Sequence, residues 1–180
     1  KATLGGILSS NAAGPRRHLY GSCRDLLIGV TVVTAAGALV KGGGKVVKNV
    51  AGYDLPKLFI GAFGTLGVVV EATVKLRPRP DADRLVVARF ASLKEAGAAA
   101  RAVMGSDLLP SALDLVDGET LRALALGGPD GAALLIGVDG IPEQVEWQCA
   151  EVERLLRPQG LVDARVLDGD ARDVAWRARE

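Results

Sequence analysis

The sequence predicts an α+β protein made of two parts that differ in character. Residues 1–80 hold two glycine-rich runs on either side of apolar, strand-forming sequence. Residues 81–180 alternate strand-like and helix-like segments in a regular order. Between the two parts, the prolines of the segment 77–81 remove backbone donors and favour extended chain, so this segment is the expected linker.

The first part is expected to contain a small sheet, whose strands are recognised by apolar, β-branched or alternating sequence. These strands span residues 27–34, 38–41 and 66–76. A turn at 36–37 should join the first two strands into a hairpin. Short helices are expected over residues 5–11 and from Asp54 to Gly61, because Asp54 is a good N-cap residue and Pro56 is tolerated in a first turn.

The second part is expected to be a ferredoxin-like, split βαβ unit. Its strands are predicted at residues 84–90, 112–116, 132–138 and 161–167. Helical periodicity predicts helices at 93–104, capped by Ser92, and at 142–156. A short helical or irregular link is expected at 119–126, and the chain is expected to close with a helix from Asp170 onwards.

Composition excludes several classes of protein. The chain has 180 residues, of which 49% are hydrophobic and 24% charged, and its formal net charge is +1. A nearly neutral chain has no basic field to attract nucleic acid, and no apolar run is long enough to span a bilayer. The two cysteines, Cys23 and Cys149, fit neither a metal spacing nor a disulfide framework, which indicates a reducing compartment and two inert thiols.

The two glycine-rich runs, residues 3–14 and 61–70, are the candidate functional segments. Glycine at this density lets the backbone approach a ligand closely and frees N–H groups to point at anionic oxygens. Either run alone is better explained as a tight turn beside a sheet. Together they predict two walls of one cofactor site, to which Arg16 and Arg17 could add charge-assisted bonds unless their loop is simply solvated.

Side chains with catalytic chemistry are sparse, and neither a catalytic residue nor a metal ligand is assigned. His18 is the only histidine, so the chain by itself cannot supply a histidine-rich metal site. It follows Pro15 in a polar loop and is expected to be exposed, with a covalent cofactor link or proton transfer as the alternative. The carboxylates near the predicted strand ends are expected to be solvated: Asp114, Asp117, Asp139 and Glu143.

A further segment, residues 48–55, joins a glycine turn, Tyr53 and the Asp54 helix cap directly upstream of the second glycine-rich run. With both runs, it makes residues 3–80 resemble the second half of the FAD-binding domain of the vanillyl-alcohol oxidase or PCMH-type flavoproteins. Within that superfamily, residues 13–17 and 48–55 are most similar to the E subunits of bacterial glycolate oxidase. Residues 81–180 resemble the cap domain that follows the FAD domain in these proteins.

The resemblance implies FAD as the cofactor and assigns contacts to three segments. The contacts along the diphosphate and flavin fall on Ala2, Thr3, Leu4, Gly5, Gly6 and Ile7. Those near the flavin ring and ribityl chain fall on Ser9, Ser10, Asn11, Ala13 and Gly14. Those at the adenosine end, made through backbone groups, fall on Gly64, Thr65, Leu66, Gly67, Val68 and Val69. Among these, Ser9, Ser10, Asn11 and Thr65 also offer side-chain hydrogen bonds.

The sequence departs from the family pattern in three ways. Many relatives have Ser-Glu where this chain has Ala62 and Phe63, so a carboxylate near the adenosine end is missing. The family's first phosphate-binding loop lies upstream of Lys1, so the chain as given is expected to bind FAD weakly or not at all. Residues 81–180 contain no histidine, whereas the cap of catalytic members presents histidines and an acidic residue to the substrate carboxylate and a metal.

The function implied is that of an FAD-binding oxidoreductase subunit of a glycolate oxidase complex, which oxidises glycolate to glyoxylate and passes electrons on. The implied partners are a flavin-containing catalytic subunit and an iron–sulfur subunit, in the cytoplasm, with attachment to the inner membrane through those partners as a further option. Two alternatives stay open. One is a self-sufficient FAD-dependent D-2-hydroxyacid dehydrogenase of the D-lactate type, and the other is a non-catalytic scaffold that keeps only the flavin fold.

Overall fold

A computed structural model describes residues 2–46, 53–128 and 130–179. The chain separates into two compact units, Lys1–Pro78 and Arg79–Glu180, and the division falls inside the proline-rich stretch. Each unit has its own sheet. The mixture of helices and sheets confirms the α+β class.

The first unit combines short helices with a three-stranded antiparallel sheet of order β2-β1-β3. Its described elements are α1 (Leu4–Ser10), α2 (Arg17–Tyr20), α3 (Cys23–Leu26), β1 (Leu27–Val33), β2 (Leu39–Gly43), α4 (Leu55–Phe59) and β3 (Val68–Val74). The predicted strands are confirmed to within about two residues at each end, which is the ordinary uncertainty of element boundaries.

The central strand β1 forms the core of this unit, because it pairs on both sides and its apolar side chains are buried. The cluster around it consists of Leu8, Leu27, Val30, Val32, Phe59 and Ile60. Leu8 comes from α1 and Phe59 from α4, so hydrophobic burial holds both helices on the sheet. Full burial of one such side chain contributes about 2 kcal/mol.

The strand β3 contains a β-bulge close to its start. Thr31 of β1 lies opposite Glu71, whereas the next residue, Val32, lies opposite Val69, which leaves Val70 as the extra residue. The buried Thr31 hydroxyl donates to Glu71 Oε2 at 2.9 Å across the two strands. Bulges of this kind occur preferentially where a strand borders a functional site, because they redirect side chains and end regular pairing.

The expectation of a plain polar loop after Pro15 is wrong, since α2 and α3 follow it. The helix α3 begins with a capping box, in which the Ser22 hydroxyl accepts the Arg24 N–H at 3.2 Å and the Ser22 N–H donates to Asp25 Oδ2 at 2.8 Å. This reciprocal pattern satisfies helix donors that a four-residue helix cannot satisfy internally. The Ser-x-x-Asp spacing was the sequence signal for it.

Replacing Asp25 with asparagine is expected to flatten the acid side of the stability profile of the first unit. The Ser22 N–H, and then the Ser22 hydroxyl, hold the pKa of Asp25 below its ordinary value. A carboxyl group with a lowered pKa in the folded state contributes stability above its unfolded-state pKa, and this contribution is lost as the pH falls through the folded-state pKa. Urea midpoints measured from neutral to acidic pH should fall less steeply for Asp25→Asn than for the wild type. Identical slopes would contradict the capping box.

Asp54 is the N-cap residue of α4, as predicted, but its side chain does not form the expected capping hydrogen bond. The side chain lies 2.7 Å from Lys57 Nζ instead. This ion pair lowers the pKa of Asp54. The segment 48–55 extends into the described residues only from Tyr53, whose side chain is exposed. The glycine turn predicted at Gly52 lies outside the described residues.

The second unit contains a four-stranded antiparallel sheet of order β5-β6-β4-β7. Its described elements are β4 (Ala82–Phe90), α5 (Leu93–Met104), β5 (Ala112–Asp117), α6 (Gly118–Ala123), β6 (Ala132–Gly140), α7 (Pro142–Leu156), β7 (Leu161–Leu167) and α8 (Gly169–Arg179). The link predicted at 119–126 is helical, and Asp117 caps it by accepting the Thr120 N–H at 2.8 Å.

Both faces of this sheet are covered by helices, as the alternation along β4 shows. Val86, Ala88 and Phe90 pack with α5 and α7 on one face. Leu85 and Val87 pack with α6 and α8 on the other face. Alternate side chains of a strand point to opposite faces, so the part of β4 that is buried on both sides, residues 85–88, is apolar at every position. The result is a three-layer unit with the sheet in the middle.

Of the four carboxylates expected to be solvated, Asp117 and Glu143 are exposed, whereas Asp114 is half-buried and Asp139 is buried. Asp114 accepts a hydrogen bond from Arg179 Nε at 2.6 Å, and Asp117 is the cap of α6. Asp139 is buried, so the expectation of a solvated side chain is wrong there. It lies at the end of β6, opposite Asp83 of β4. Within the described residues, no helix has the length and hydropathy of a membrane span.

Candidate functional site

The two glycine-rich runs contact each other in the first unit. The carbonyl oxygens of Leu8 and Ser9 in α1 accept the N–H groups of Gly61 and Phe63, at 3.1 and 2.8 Å. These acceptors are available because the last carbonyls of a helix have no partner within it. The helix α1 therefore lies against the 61–67 turn, which leads directly into β3. The structure brings the predicted segments together.

All the predicted site residues are exposed or half-buried, so all are accessible to a ligand. The half-buried ones are Gly5, Ile7, Ser9, Gly67 and Val69. The exposed ones are Ala2, Thr3, Leu4, Gly6, Ser10, Asn11, Ala13, Gly14, Gly64, Thr65, Leu66 and Val68. The buried residue of α1 is Leu8, which was not among the predicted contacts and whose role is to anchor the helix.

The glycines of the two runs serve different purposes. Gly64 has φ +76°, and a Cβ atom built on it would meet no atom within 4 Å. Gly14 faces equally open space. A Cβ on Gly67, where φ is +151°, would instead lie 2.6 Å from Val32 Cγ1. A Cβ on Gly6 would lie 3.1 Å from Thr3 Oγ1, the N-cap oxygen that accepts the Gly6 N–H. Packing of the chain on itself thus accounts for Gly6 and Gly67, while Gly14 and Gly64 leave space for a ligand.

The hydroxyl groups predicted to face the cofactor are partly used by the protein itself. Ser10 Oγ donates to the Gly6 carbonyl at 2.8 Å, and Thr65 Oγ1 donates to the Ala62 carbonyl at 2.7 Å. Their remaining capacity is that of acceptors. Asn11 ends α1 in the left-handed conformation, with φ 53°, a conformation that asparagine adopts more readily than most residues.

The 61–67 turn has two main-chain donors available. The N–H groups of Thr65 and Gly67 close the turn internally on Ala62 and Gly64. Those of Gly64 and Leu66 donate to no acceptor within residues 2–46, 53–128 and 130–179. Both residues are exposed. Solvent-facing N–H groups of a tight turn are suitable donors for acceptor atoms of a ligand.

The charges around the two runs fit an anionic ligand. No acidic residue occurs in the first 24 residues or in 61–70, whereas Arg16, Arg17 and Arg24 lie in the first segment. The nearest carboxylates along the chain are Asp25, which is engaged by Ser22, and Glu71, which accepts the Thr31 hydroxyl. A diphosphate would therefore meet main-chain donors of two runs that carry no carboxylate of their own. The residues present fit the pyrophosphate and adenosine portions of FAD.

Two features of this site were not predicted from the sequence. Phe63 has φ 51° and an exposed ring, although bulky residues rarely adopt the left-handed region and pay about 1–2 kcal/mol for it. Within the run of three glycines at 42–44, close packing requires the first two, because a Cβ on Gly42 would lie 2.6 Å from Leu55 Cβ and one on Gly43 would lie 2.1 Å from the Ile28 carbonyl oxygen. The sequence signal for the second feature was the run itself; the first had none.

The second unit offers no comparable set of catalytic groups. Within the described part of the chain, no three histidine, cysteine or carboxylate side chains cluster as metal ligands. Cys149 is half-buried, and burial raises the pKa of its thiol, which lowers its reactivity. An apolar cavity of about 460 Å³ lies beside α6 and α8, with Arg165 and Asp170 as its charged lining residues.

Comparison with known families divides the chain at the same place as its geometry. Residues 79–180 match the family described as FAD linked oxidases, C-terminal domain. Residues 1–43 match the family described as FAD binding domain. Two matches in this order confirm both the predicted resemblance and the predicted cofactor, FAD.

Curated relatives include subunits of glycolate oxidase. The chain is 37% identical over 162 residues to glycolate oxidase subunit GlcD of Bacillus subtilis, covering 87% of this chain and 34% of that protein. It is 48% identical over 96 residues to glycolate oxidase subunit GlcE of Escherichia coli, covering 53% and 27%. It is 32% identical over 192 residues to D-lactate dehydrogenase of Anaerostipes hadrus, covering 99% and 40%. The chain thus spans between 27% and 40% of these relatives.

Solved structures support the same fold. A structure of alkyldihydroxyacetonephosphate synthase superposes with a TM-score of 0.78 at 20% identity, covering 99% of this chain and 35% of that one. At this identity the match concerns the fold alone. With the family match over residues 79–180, which is more than half of the sequence, the chain belongs to the FAD-linked oxidases.

Proposed function

We propose that this chain is part of the FAD-binding subunit of a glycolate oxidase-type complex. The observation that carries the proposal is the contact between α1 and the 61–67 turn, made through the Leu8 and Ser9 carbonyls. It joins two glycine-rich segments, residues 4–10 and 61–67, that contain no carboxylate, and such a surface suits a dinucleotide. The 48% identity to GlcE of Escherichia coli over 96 residues favours this subunit type.

Each proposed contact segment has a physical role in this site. Residues 2–7 would run along the diphosphate and flavin, where an N-cap and the first turn of α1 present main-chain groups. Residues 9–14 would close near the flavin ring and the ribityl chain, with Asn11 reversing the chain direction. Residues 64–69 would contact the adenosine end through the available Gly64 and Leu66 N–H groups. Bound FAD would supply an acceptor for the electrons released when the complex oxidises a 2-hydroxyacid.

We propose that residues 1–80 are part of a PCMH-type FAD-binding domain and that residues 81–180 form a ferredoxin-like cap. The antiparallel order β5-β6-β4-β7 with a helix after β4 and after β6 supports the cap assignment. The cap sequence has no histidine, which supports a division of labour in which a partner flavin subunit binds the hydroxyacid. An iron–sulfur subunit would complete a cytoplasmic complex, attached to the inner membrane through its partners.

A second candidate function is a self-sufficient FAD-dependent D-2-hydroxyacid dehydrogenase. It is favoured by the extent of two matches, since GlcD of Bacillus subtilis covers 87% of this chain and the D-lactate dehydrogenase covers 99%, against 53% for GlcE. The missing cap histidines weigh against it. The two functions differ in whether the isolated protein can reduce its own flavin.

Flavin reduction is expected to require the partner subunits. The full-length protein would be purified alone and after co-expression with its neighbouring subunits, and the flavin absorbance of each sample would be recorded before and after anaerobic addition of glycolate. We expect bleaching in the complex and none in the isolated protein, because the cap sequence has no histidine to position the substrate carboxylate.

The controls separate the alternatives. Bleaching of the isolated protein by glycolate or D-lactate would support the self-sufficient dehydrogenase instead. A complex whose flavin resides entirely in another subunit would contradict the proposal and leave a scaffold role. Omitting one partner at a time identifies the subunit that binds the hydroxyacid.

A further inference from the structure

The unusual residue of the 61–67 turn is Phe63. Its backbone is in the left-handed region, with φ 51°, and its side chain is 76% exposed. A β-carbon in this region crowds the neighbouring carbonyl, so glycine or asparagine is the ordinary choice there. Phe63 therefore strains the backbone without burying its ring in this unit.

The turn itself imposes this conformation on Phe63. The Phe63 N–H donates to the Ser9 carbonyl at 2.8 Å, which ties the residue to the end of α1. The neighbouring Gly61 and Gly64 are also left-handed, with φ +74° and +76°. Because three residues of this turn are left-handed, glycine at position 63 would have the lowest conformational cost. The aromatic side chain is what needs an explanation.

We propose that the Phe63 ring stacks on the adenine of FAD, an inference that rests on the proposed function. The ring is accessible, and the available N–H groups of Gly64 and Leu66 lie directly after it in the chain. Main-chain donors beside an aromatic face match a purine, which has nitrogen acceptors at its edge and an apolar face. The exposed side chains of Leu66 and Val68 extend the apolar surface of the same segment.

The adenine is a better partner for this ring than the flavin or the diphosphate. The residues proposed for the adenosine end, 64–69, follow Phe63 directly in the chain. The segment proposed for the flavin ring and ribityl chain, 9–14, meets the Phe63 main chain at the Ser9 carbonyl rather than the ring. A phosphate would gain little from an aromatic face, since the negative face of the ring repels anions. Stacking would also replace the interaction of the carboxylate that this chain lacks at position 63.

The proposal predicts opposite effects of Phe63→Gly on stability and on binding. Glycine relieves the left-handed strain, so the thermal midpoint of the FAD-free protein should rise. The same variant should bind FAD and ADP about tenfold more weakly, because an aromatic–base stack is lost. Binding of FMN, which has no adenine, should be unchanged. Phe63→Tyr keeps an aromatic face and should retain FAD affinity.

The experiment uses the full-length protein, with affinities for FAD, ADP and FMN from calorimetry and thermal midpoints from circular dichroism. Leu39→Ala, which removes a similarly exposed apolar side chain (66%, against 76% for Phe63) from β2, is the matched control and should leave the FAD-to-FMN affinity ratio unchanged. A lower thermal midpoint for FAD-free Phe63→Gly would show that the ring packs on protein and would overturn the proposal. Equal losses for FAD and FMN, or no loss for FAD, would overturn it as well.

The failure of the proposed function has a different signature. A wild-type protein that binds none of the three ligands would contradict FAD binding itself, and the stacking inference with it. A wild type that binds FAD normally while Phe63→Gly binds it equally well would leave the proposed function intact and remove only the role of Phe63.

Discussion

Replacing Gly67 with alanine is expected to lower the free energy of unfolding of the first unit by about 3 kcal/mol or more. The added Cβ would lie 2.6 Å from both Val32 Cγ1 and the Val33 carbonyl oxygen, at a φ of +151° that side chains rarely adopt. Val33 belongs to the central strand β1, which is paired on both sides and has little freedom to move. Urea unfolding followed by circular dichroism measures the loss.

Gly64→Ala is the matched control, because the same atom is added three residues earlier in the same turn. Gly64 is left-handed as well, with φ +76°, but its Cβ would face open space. Gly64→Ala should therefore lower the free energy of unfolding by only about 1 kcal/mol, the cost of placing a β-carbon in the left-handed region. Equal destabilisation of the two variants would show that the contact between the 61–67 turn and β1 is not as close as the structure has it.

The two glycine variants also separate a structural role from a ligand-binding role. Gly67→Ala can reduce the affinity for FAD simply by displacing the turn. A lower FAD affinity of this variant would therefore not identify a contact between Gly67 and FAD. Gly64→Ala leaves the turn in place and puts a methyl group where the proposed ligand surface is open. A selective loss of FAD affinity in Gly64→Ala would therefore be direct support for the proposed adenosine contact at this turn.

The sequence predicted the second unit well because several signals agreed at each element. The helices α5 and α7 occupy the predicted residues 93–104 and 142–156, since both combine apolar periodicity with a defined start at Ser92 or Pro142. The strand β7 also occupies its predicted residues, 161–167. Where apolar periodicity, a helix cap and a helix-ending residue all indicate the same bounds, tertiary packing seldom changes the element.

What the sequence did not reveal depends on contacts between distant segments. Whether Gly67 is needed for a ligand or for β1 is decided by Val32, which lies far away along the chain. The burial of Asp139 follows from its position between strands and helices. The strain at Phe63 follows from its bond to Ser9, 54 positions earlier in the numbering. No local pattern encodes these through-space relations.

Replacing Leu8 with alanine is expected to destabilise the first unit by about 2–5 kcal/mol, the usual cost of such a cavity in a core. Leu8 is 3% exposed and packs with Phe59 and Ile60. The helix α1 has only seven residues, so it would be marginal without this anchor. Leu4→Ala is the matched control: Leu4 lies on the same helix at 55% exposure, and its variant should stay within about 0.5 kcal/mol of the wild type.

Loss of the Leu8 anchor should also reach the proposed cofactor site, since α1 contributes residues 4–10 to it. If FAD binds only the molecules in which α1 is docked, the apparent affinity for FAD falls in proportion to the fraction of such molecules. In the full-length protein, a saturating concentration of FAD about 100 times its Kd should stabilise the wild type by about 2.7 kcal/mol. The same concentration should protect Leu8→Ala less. Equal protection of both would mean that FAD binds without α1, which would contradict the two-segment site.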